Sequence, residues 1–263
     1  MEYKNDLLEY NTYGDTLPEA YHKALYLLRE CGELVDCPDY NTTQKELSMT
    51  IEIQNPLREP MISKLFVGDP HSLEQYRQEI LDGILDFEVE RGNWHYTYHQ
   101  RMANQIGFII DELRRNPDSR RAVIDVRTSE DMGDDSPACL QNIQYMIRRN
   151  KLNCKVLFRS NDACKASFMN MFALIMLQKR IADELGIEVG SYTHRANSFH
   201  CYERDFAMLD GYVKRIESTG DWSSETMFDN EDLCYYYEGD WDEQMEDEQA
   251  SIAEFVEKLK KGE

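Results

Sequence analysis

The sequence predicts an α/β protein of the α+β type, in which helices cover a mixed β-sheet. Residues 47–53 alternate apolar and polar side chains, as a half-buried strand does. The segments Leu140–Arg148 and Leu152–Phe158 flank a short polar turn and are typical of a hairpin-like pair of strands. The long apolar run Phe168–Leu185 has the length of a helix and ends before a glycine. Paired strands interspersed with helices favour a mixed sheet over a purely parallel one.

Helix signals occur along most of the chain. The first is the clearest, because Thr16 and Glu19 have capping-box spacing, with Pro18 between them and Gly32 beyond the apolar positions. A later helix is stopped by Asn116-Pro117. In chain order, helices are predicted over residues 16–30, 73–90, 100–115, 168–185 and 203–216, with a further short helix at 252–259.

Extended segments separate these helices. Arg120-Arg121 lead directly into an apolar run at residues 122–126, which predicts a strand, and residues 189–202 form another extended region. The aromatic run at residues 94–98 suits a strand or an extended loop. The sequence has no internal repeat and no glycine-rich phosphate loop.

The acidic charge of the chain is concentrated towards its C-terminus. Of the 263 residues, 41% are hydrophobic and 30% are charged, which is an ordinary globular composition, and the net charge is −21. Residues 217–263 hold 16 acidic and 3 basic side chains. We therefore expect a main domain over residues 1–216 and an acidic C-terminal extension over residues 217–263. A nucleic-acid-binding surface would be basic, so nucleic acid is not an expected partner.

Membrane, secretion and metal signals are absent from the sequence. No apolar run approaches the roughly 18 residues that suggest a transmembrane helix, and residues 1–6 lack the pattern of a secretory signal. The seven cysteines are odd in number and form no CxxC pair. This pattern favours reduced thiols over a disulfide framework or a zinc site. We expect a cytoplasmic protein that binds neither a membrane nor a metal.

Cys139 is the candidate nucleophile. A lone cysteine is most often a small buried apolar side chain, and the other six cysteines have no setting that suggests another role. Cys139 follows an acidic, proline-containing loop and starts a strand, and such a position can leave the thiol exposed. Nearby arginines would lower its pKa and favour the thiolate.

Three arginines lie at strand–turn junctions beside a serine. Arg120 and Arg121 follow Ser119, and Arg159 precedes Ser160. Planar guanidinium groups and hydroxyls at loop ends suit a phosphate, which accepts several bidentate hydrogen bonds. Arginines on a solvated surface are the alternative interpretation of the same pattern.

Four further polar residues are candidates with weaker signals. His200 and Tyr202 are two residues apart, so on a strand they point to the same side. The pair could hydrogen-bond a sugar hydroxyl, but two satisfied core side chains would have the same spacing. Asp162 and Glu79, taken alone, have the pattern of surface carboxylates.

These motifs, taken in order, resemble the thymidylate synthase / pyrimidine (dCMP, dUMP) hydroxymethylase family. The set is Asn116-Pro117-Asp118-Ser119-Arg120-Arg121, Cys139, Arg159-Ser160-Asn161-Asp162, Asn170 and His200-Cys201-Tyr202. The spacing matches that of thymidylate synthases without insertions or deletions. This holds from Cys139 to Arg159, and from Arg159 to Asn170 and His200. The similarity covers roughly residues 74–216. It implies a thymidylate synthase-like fold, a catalytic domain within residues 1–216 and a homodimer formed through the sheet.

The resemblance also implies a reaction. A one-carbon unit would pass from 5,10-methylenetetrahydrofolate, without a metal, to C5 of a pyrimidine nucleoside monophosphate. Cys139 would add to C6 of the ring and so make C5 a carbon nucleophile. Tyr98 is similar to the tyrosine that helps to remove the C5 proton through water, and Glu79 to the glutamate that organises water near O4.

The phosphate contacts that the resemblance implies come from two subunits. Arg159 and Ser160 would hold the phosphate from the same chain as Cys139. Arg120 and Arg121 would reach across from the other subunit of the homodimer.

The remaining contacts implied by the resemblance concern the sugar, the pterin and the base. His200 and Tyr202 match the residues that bind the sugar 3′-hydroxyl, and Asp162 matches the carboxylate that orients the folate pterin. Asn170 stands where thymidylate synthases have asparagine and cytidylate hydroxymethylases have aspartate. An amide offers both a donor and an acceptor to uracil, so the residue favours dUMP as substrate and dTMP as product.

Departures from the family pattern leave two alternatives open. Ala138 replaces a proline, residues 165–169 replace a Gly-Leu-Pro-Phe-like segment, and Ala196-Asn197-Ser198 replaces Gly-Gly-Asp. An acidic segment also stands in place of the apolar tail that closes thymidylate synthases and excludes water. The first alternative is therefore a dUMP or dCMP hydroxymethylase. The segment Gln144–Arg148 also resembles the hydroxymethylase branch of the family. The second is a non-catalytic family member whose acidic tail binds a basic partner.

Overall fold

A computed structural model of the chain describes residues 9–63, 68–223, 241 and 245–262. Its strands are β1 (Glu9–Gly14), β2 (Glu33–Cys37), β3 (Thr42–Ile53), β4 (Val123–Asp125), β5 (Leu140–Arg148), β6 (Lys151–Phe158), β7 (Asn161–Asp162) and β8 (Glu188–Tyr202). Its helices are α1 (Leu17–Cys31), α2 (Pro70–Asp82), α3 (Phe87–Glu90), α4 (Tyr98–Arg115), α5 (Ser167–Leu185), α6 (Phe206–Thr219) and α7 (Glu246–Lys261). The predicted α/β class is confirmed.

The strands form a mixed sheet with the path β1-β3-β8-β6-β5-β4. β8 is antiparallel to β3 and parallel to β6, and β5 and β6 form an antiparallel hairpin. β2 pairs with β3, and the two-residue strand β7 pairs in parallel with β8. The hairpin and β7 together bring the start of β5, the end of β6 and the end of β8 to the same end of the sheet.

One face of the sheet carries the core. Along β6, Leu152, Cys154, Val156 and Phe158 are buried, as their shared face predicts, whereas the intervening Lys155 is exposed. α1, α4, α5 and α6 all contact sheet strands. Burial on alternate residues is the pattern of a sheet that is covered on one face and more polar on the other.

α1 begins where the sequence predicts. The side chain of Thr16 accepts a hydrogen bond from the backbone N–H of Glu19 at 3.4 Å. The carboxylate of Glu19 accepts from the backbone N–H of Asp15 at 2.7 Å, one residue before the position that a capping box would use. These bonds satisfy N–H groups at the start of the helix, and its buried face then packs into the core.

The helix predicted over residues 73–90 is instead two helices. α2 ends at Gly83, which has a φ of 64°, and α3 begins only at Phe87. A Cβ at position 83 would overlap the imidazole of His99. The left-handed backbone and the crowding both require glycine here, so the helix cannot continue.

Two extended segments are not predicted, and one prediction with two alternatives is resolved. Residues 94–97 form a loop, the second of the two alternatives, and lead into α4, where Oγ1 of Thr97 accepts from the N–H of Gln100 at 3.1 Å. β1 and β2 are not predicted, because β1 turns Tyr10, Thr12 and Gly14 inward and β2 has no buried residue. Neither strand therefore shows the apolar alternation on which the prediction depends.

The described part of the acidic extension packs on the main domain. Ile252 and Val256 of α7 are buried against Leu85, and Nδ1 of His71 lies 2.6 Å from a carboxylate oxygen of Glu248. The prediction of a helix here is confirmed, although Phe255 remains 44% exposed. The acidic run at residues 229–232 lies outside the described residues. None of the helices described is long and apolar enough to cross a membrane.

Candidate functional site

Eight of the side chains singled out in the sequence line one cavity of about 780 Å³. They are Tyr98, Cys139, Arg159, Ser160, Asp162, Asn170, His200 and Tyr202. They come from the start of α4, the hairpin ends, the β7 region, α5 and the end of β8. The volume lies within the roughly 300–1,000 Å³ range of small-molecule sites.

The β5–β6 hairpin places Cys139 beside Arg159. Leu140 lies opposite Phe158, so the residue before β5 and the residue after β6 are neighbours. The backbone N–H of Arg159 donates to the carbonyl of Cys139 at 2.8 Å. The guanidinium donates to the carbonyls of Pro137 at 2.8 Å and Ala138 at 3.2 Å. Arg159 therefore holds the loop that presents the thiol.

The Cys139 thiol is half-buried at the cavity wall. Burial raises its pKa above the usual value of 9.0, and the positive charge of Arg159 offsets part of this effect. The sequence-based expectation of a lowered pKa is therefore wrong for the chain alone. Desolvation of the anion outweighs the attraction of one nearby guanidinium.

β7 places Asp162 next to His200, its partner on β8. Oδ1 of Asp162 accepts hydrogen bonds from the backbone N–H groups of Cys164 at 3.0 Å and Lys165 at 3.1 Å. Nε2 of the buried His194 lies 2.9 Å from Oδ1 of Asn161 and holds the asparagine side chain in place. These bonds fix the turn that leads into α5 and hold the Asp162 carboxylate at the cavity wall.

His200 presents a nitrogen without a protein partner. Its Nδ1 lies 3.3 Å from the carbonyl of Ser198, to which it can donate. Nε2 is buried and has no hydrogen-bond partner among the described residues. Burial lowers the pKa of His200, and the nearby Asp162 carboxylate opposes this shift only in part. A neutral ring that donates from Nδ1 leaves Nε2 as an acceptor, suited to a ligand hydroxyl.

Asn170 lies in the first turns of α5 and is 7% exposed. Its Oδ1 accepts a hydrogen bond from the hydroxyl of Tyr76, on α2, at 2.5 Å. Both residues line the cavity, so an amide and a phenol meet at the same wall. The sequence analysis does not single out Tyr76.

Tyr98 also lines the cavity, at the first position of α4. Its hydroxyl accepts a hydrogen bond from the backbone N–H of Leu140, the residue after Cys139, at 3.4 Å. Burial, reinforced by the proximity of Cys139, raises the pKa of Tyr98 well above its usual value of 10. Tyr98 therefore keeps its proton at neutral pH.

Glu79 lies outside this cavity. It lines an adjoining cavity of about 150 Å³, and the two cavities share Tyr76, Tyr96 and Tyr98 as walls. Burial raises the pKa of Glu79, although a hydrogen bond from Gln75 at 2.9 Å opposes the shift. Glu79 is thus separated from the main cavity by a layer of tyrosines.

Arg120 and Arg121 are exposed and do not line the cavity. Their backbones are fixed by the sheet edge: Gln144 donates to the carbonyl of Arg120 at 3.0 Å, and the N–H of Arg121 donates to Oγ of Ser119 at 3.1 Å. Within a single chain, these two guanidinium groups are not part of the site.

The charge of the cavity is unfavourable for a phosphate in the single chain. Among the described lining residues, Arg159 is the one guanidinium, and the carboxylates are Asp39, Asp134, Asp135 and Asp162. A phosphate dianion would need further positive charge to overcome this field. Among the described residues, the guanidinium of Arg159 is therefore the positive charge that this cavity offers to a phosphate.

Several lining residues were not predicted from the sequence. They include Cys37, Tyr40, Gln44, Tyr76 and Tyr96. Tyr76 carries a usable signal, because it lies three residues before Glu79 and the two share a helix face. Cys37 and Tyr40 lie beside the unpredicted strand β2, so no local pattern marked them.

In the part of the chain that the structure describes, no group of three or more His, Cys, Asp or Glu side chains could hold a metal ion.

Comparisons with known proteins point to one family. The family model described as "Thymidylate synthase" matches residues 71–233. A protein of Methanocaldococcus jannaschii named "Putative thymidylate synthase" is 33% identical over 208 residues, which are 75% of this chain and 93% of that protein. The thymidylate synthase of Bacillus licheniformis is 27% identical over 171 residues, which are 64% of this chain and 59% of that protein.

The fold has a counterpart among solved structures. The thermostable thymidylate synthase A from Bacillus subtilis superposes with a TM-score of 0.62 at 16% sequence identity. The match covers 76% of this chain and 84% of that one. At this identity the match shows a shared fold.

Proposed function

The chain belongs to the thymidylate synthase family, and we propose on this premise that it converts dUMP to dTMP. Membership implies a one-carbon transferase that uses methylenetetrahydrofolate. The observation that carries the proposal is the meeting of Cys139, Arg159 and Asn170 in one cavity. A nucleophile, an anion contact and a base-reading amide are the groups that this reaction requires.

Cys139 is the proposed nucleophile. Its sulfur adds to C6 of the pyrimidine, and the covalent bond lets C5 act as the carbon nucleophile. The thiol lies at the wall of a cavity and is not enclosed in the core, so a ligand can reach it. Arg159 holds the loop before it, which fixes the sulfur relative to the bound ring.

The phosphate is assigned to Arg159 and Ser160, together with Arg120 and Arg121 of a second copy of the chain. The charge of the single-chain cavity supports this assignment, because four carboxylates face one guanidinium. The exposure of Arg120 and Arg121 supports it as well, because both side chains are available to a partner. A homodimer through the more polar sheet face would supply the missing cations.

The sugar is assigned to His200 and Tyr202. Nε2 of His200 is a buried acceptor without a partner among the described residues, and a sugar hydroxyl can donate to it. The rings of His200 and Tyr202 lie edge to face with centroids 4.8 Å apart. This packing restricts the imidazole to an orientation that suits one ligand hydroxyl.

The cavity wall suits a pterin as well as a nucleotide. Asp162 offers a carboxylate to ring N–H groups, while tyrosine rings provide flat apolar surfaces. Methylenetetrahydrofolate, when bound, would supply both the one-carbon unit and the hydride that reduces it to a methyl group, and would leave as dihydrofolate. We assign Asp162 to orient it.

Proton handling is assigned to Tyr98 and Glu79. Tyr98 remains protonated, so its hydroxyl can donate to a water that takes the C5 proton. Glu79 has a raised pKa and lies behind the shared tyrosine wall, so we assign it to hold a proton that reaches the ring only through that wall.

Incubation of the chain with dUMP and methylenetetrahydrofolate tests the proposed reaction. The expected products are dTMP and dihydrofolate, identified by liquid chromatography and mass spectrometry. The formation of 5-hydroxymethyl-dUMP and tetrahydrofolate alone would contradict the methyl product and support the hydroxymethylase alternative.

Trapping with 5-fluoro-dUMP and methylenetetrahydrofolate tests the nucleophile. We expect a covalent adduct on the Cys139 peptide, because the fluorine at C5 blocks completion of the reaction. Cys139→Ser should form no adduct. Cys31→Ser is the matched control, since Cys31 is also half-buried but lies outside the cavity. A chain that forms no adduct at all would support the non-catalytic alternative.

The hydroxymethylase remains a second candidate because of where the family departures lie. Ala138 lies between Pro137 and Cys139, which line the cavity, and the replaced segment 165–169 includes Ala166, which also lines it. Substitutions at this wall bear on the access of water to the reacting carbon.

A further inference from the structure

The amide of Asn170 has a hydrogen bond within the protein on the side of the cavity that would receive a base. The donor is the hydroxyl of Tyr76, which comes from α2 and lies 94 residues away in the sequence. Both side chains line the same cavity. The bond therefore acts on a group that is positioned to contact a ligand.

Uracil and cytosine present opposite hydrogen-bonding groups to such an amide. Uracil has an acceptor at O4 and a donor at N3, whereas cytosine has a donor at N4 and an acceptor at N3. An asparagine can match either base, because its oxygen accepts and its NH2 group donates. The two matches require amide orientations that exchange the oxygen and the nitrogen. An asparagine free to adopt both would discriminate weakly between the bases.

Tyr76 makes the two orientations unequal. Burial raises the pKa of Tyr76 well above its usual value of 10, so its hydroxyl is a donor at neutral pH. A flipped Asn170 would turn its NH2 group towards this hydroxyl and leave the hydroxyl proton without its acceptor. The observed orientation keeps the second lone pair of Oδ1 available for N3–H of uracil, and Nδ2 available for O4.

We infer that Tyr76 is the positioning residue that sets the base preference of the site, in favour of uracil, by holding the Asn170 amide in one orientation. The inference rests on the proposed function, because it takes the pyrimidine ring to contact Asn170. It adds a residue to base selection that does not itself have to touch the base.

Nucleotide binding without folate provides the test. Equilibrium dialysis with dUMP and with dCMP gives the ratio of their two dissociation constants for each variant. Tyr76→Phe removes only the hydroxyl, and we expect it to reduce the preference for dUMP about tenfold, the effect of about one hydrogen bond. Tyr145→Phe is the control, because Tyr145 is a fully buried tyrosine that lies outside the cavity. Its ratio should equal that of the wild-type chain.

Measuring Tyr76→Phe in an Asn170→Asp background distinguishes a loss of amide orientation from a general change in side-chain packing. Asn170→Asp carries two equivalent oxygens when ionised, so there is no amide for Tyr76 to orient. Tyr76→Phe should therefore leave the nucleotide ratio unchanged in Asn170→Asp. An unchanged ratio in the Asn170 background, or an equal change in both backgrounds, would overturn the inference.

If the proposed function is wrong, the nucleotide-binding measurements give results that differ from those expected when only the role of Tyr76 is wrong. A wild-type chain that binds neither nucleotide overturns the proposed function and this inference together. A wild-type preference for dCMP would overturn both dUMP as the substrate and the uracil preference assigned to Tyr76, whereas a preference for dUMP that Tyr76→Phe leaves unchanged would overturn the inference alone. If Tyr76→Phe does not fold, a crystal structure of the wild-type chain with dUMP decides. It should show Tyr76 bonded to Oδ1 and Nδ2 facing O4, and a tyrosine turned away from the amide overturns the inference.

Discussion

The reactivity of single residues in this site depends on opposing local effects. For Cys139, burial raises the thiol pKa and the Arg159 guanidinium lowers it, with burial the larger effect. For His200, burial lowers the pKa and Asp162 raises it, again with burial the larger effect. In both cases the neutral form is favoured in the chain alone. A nucleotide phosphate and further cations would alter this balance on binding.

Alkylation of Cys139 by iodoacetamide should depend steeply on pH. The thiolate is the reactive form, so the rate should rise as pH rises through 9.0 and should not level off below that value, since the pKa is raised. Arg159→Gln removes the opposing positive charge and should slow the reaction further at each pH below 9.0. The rate is measured by mass spectrometry of the Cys139 peptide in a Cys31→Ser background. A plateau near pH 7 would show that the thiol is activated and not suppressed.

At the scale of an element, α2 connects the site to the C-terminal extension. Its buried Glu74 accepts hydrogen bonds from Arg77 and from the indole of Trp241, each at 2.7 Å. The Trp241 ring also packs on Phe172 of α5, with centroids 4.8 Å apart. The same two helices carry Tyr76 and Asn170, so this contact supports the pair that would read the base.

Glu74 and Glu79 should affect stability with opposite signs. Burial acts to raise the pKa of Glu74, but hydrogen bonds from Arg77, Trp241 and Gln78 outweigh it and lower the pKa. Its stabilising effect is therefore present above the unfolded pKa near 4.5 and is lost as pH falls through the folded pKa. Burial raises the pKa of Glu79. Its ionisation therefore costs stability as pH rises past 4.5.

Urea unfolding at pH 7 measures both effects. Glu74→Gln should lower the free energy of unfolding by roughly 3 kcal/mol, because it removes the buried carboxylate that accepts hydrogen bonds from Arg77, Gln78 and Trp241. Glu79→Gln should raise the free energy of unfolding at pH 7, because a neutral side chain replaces a charge that burial disfavours. At pH 4 the change in the free energy of unfolding caused by each variant should be smaller than at pH 7. Equal destabilisation by the two variants would show that burial of a polar side chain matters here and its charge does not.

At the scale of the whole molecule, Arg159 is the one guanidinium among the described residues at the cavity where the proposed phosphate binds, and it faces four carboxylates. Arg120 and Arg121 are exposed at the edge of the sheet and belong to no site within their own chain. A symmetric dimer would apply the same interface twice and complete two sites at once. The proposed function therefore includes a second copy of the chain that donates Arg120 and Arg121.

Mixing two inactive variants tests this arrangement. Cys139→Ser lacks the nucleophile, and the double variant Arg120→Ala/Arg121→Ala lacks the donated cations. After the two are unfolded and refolded together, half of the dimers should combine them, and each of these has one complete site. We expect about a quarter of wild-type activity from random pairing in a two-fold dimer. No recovery, or a wild-type chain that is a monomer by light scattering, would contradict the shared site.

Local pattern was sufficient for most of the fold. The capping of α1, the hairpin of β5 and β6 and the long helix α5 were predicted because their signals lie within one turn or one strand. The break at Gly83 was not predicted, because the glycine is required partly by contact with His99, on another helix. β1 was missed because the residues it buries, Thr12 and Gly14, are not strongly apolar, and β2 because none of its residues is buried.

The order of motifs along the chain was enough to identify the family and to group Cys139 with Arg159, because a hairpin register makes neighbours of residues that flank its strands. It also identified Asn170 as the candidate that reads the base. The folded chain was needed to find that Tyr76 bonds this amide, that Glu79 lies behind a tyrosine wall, and that Arg120 and Arg121 do not line the cavity. The difference arises from distance along the chain. Register and periodicity act between near neighbours, whereas burial, charge and hydrogen bonding depend on residues that folding brings together.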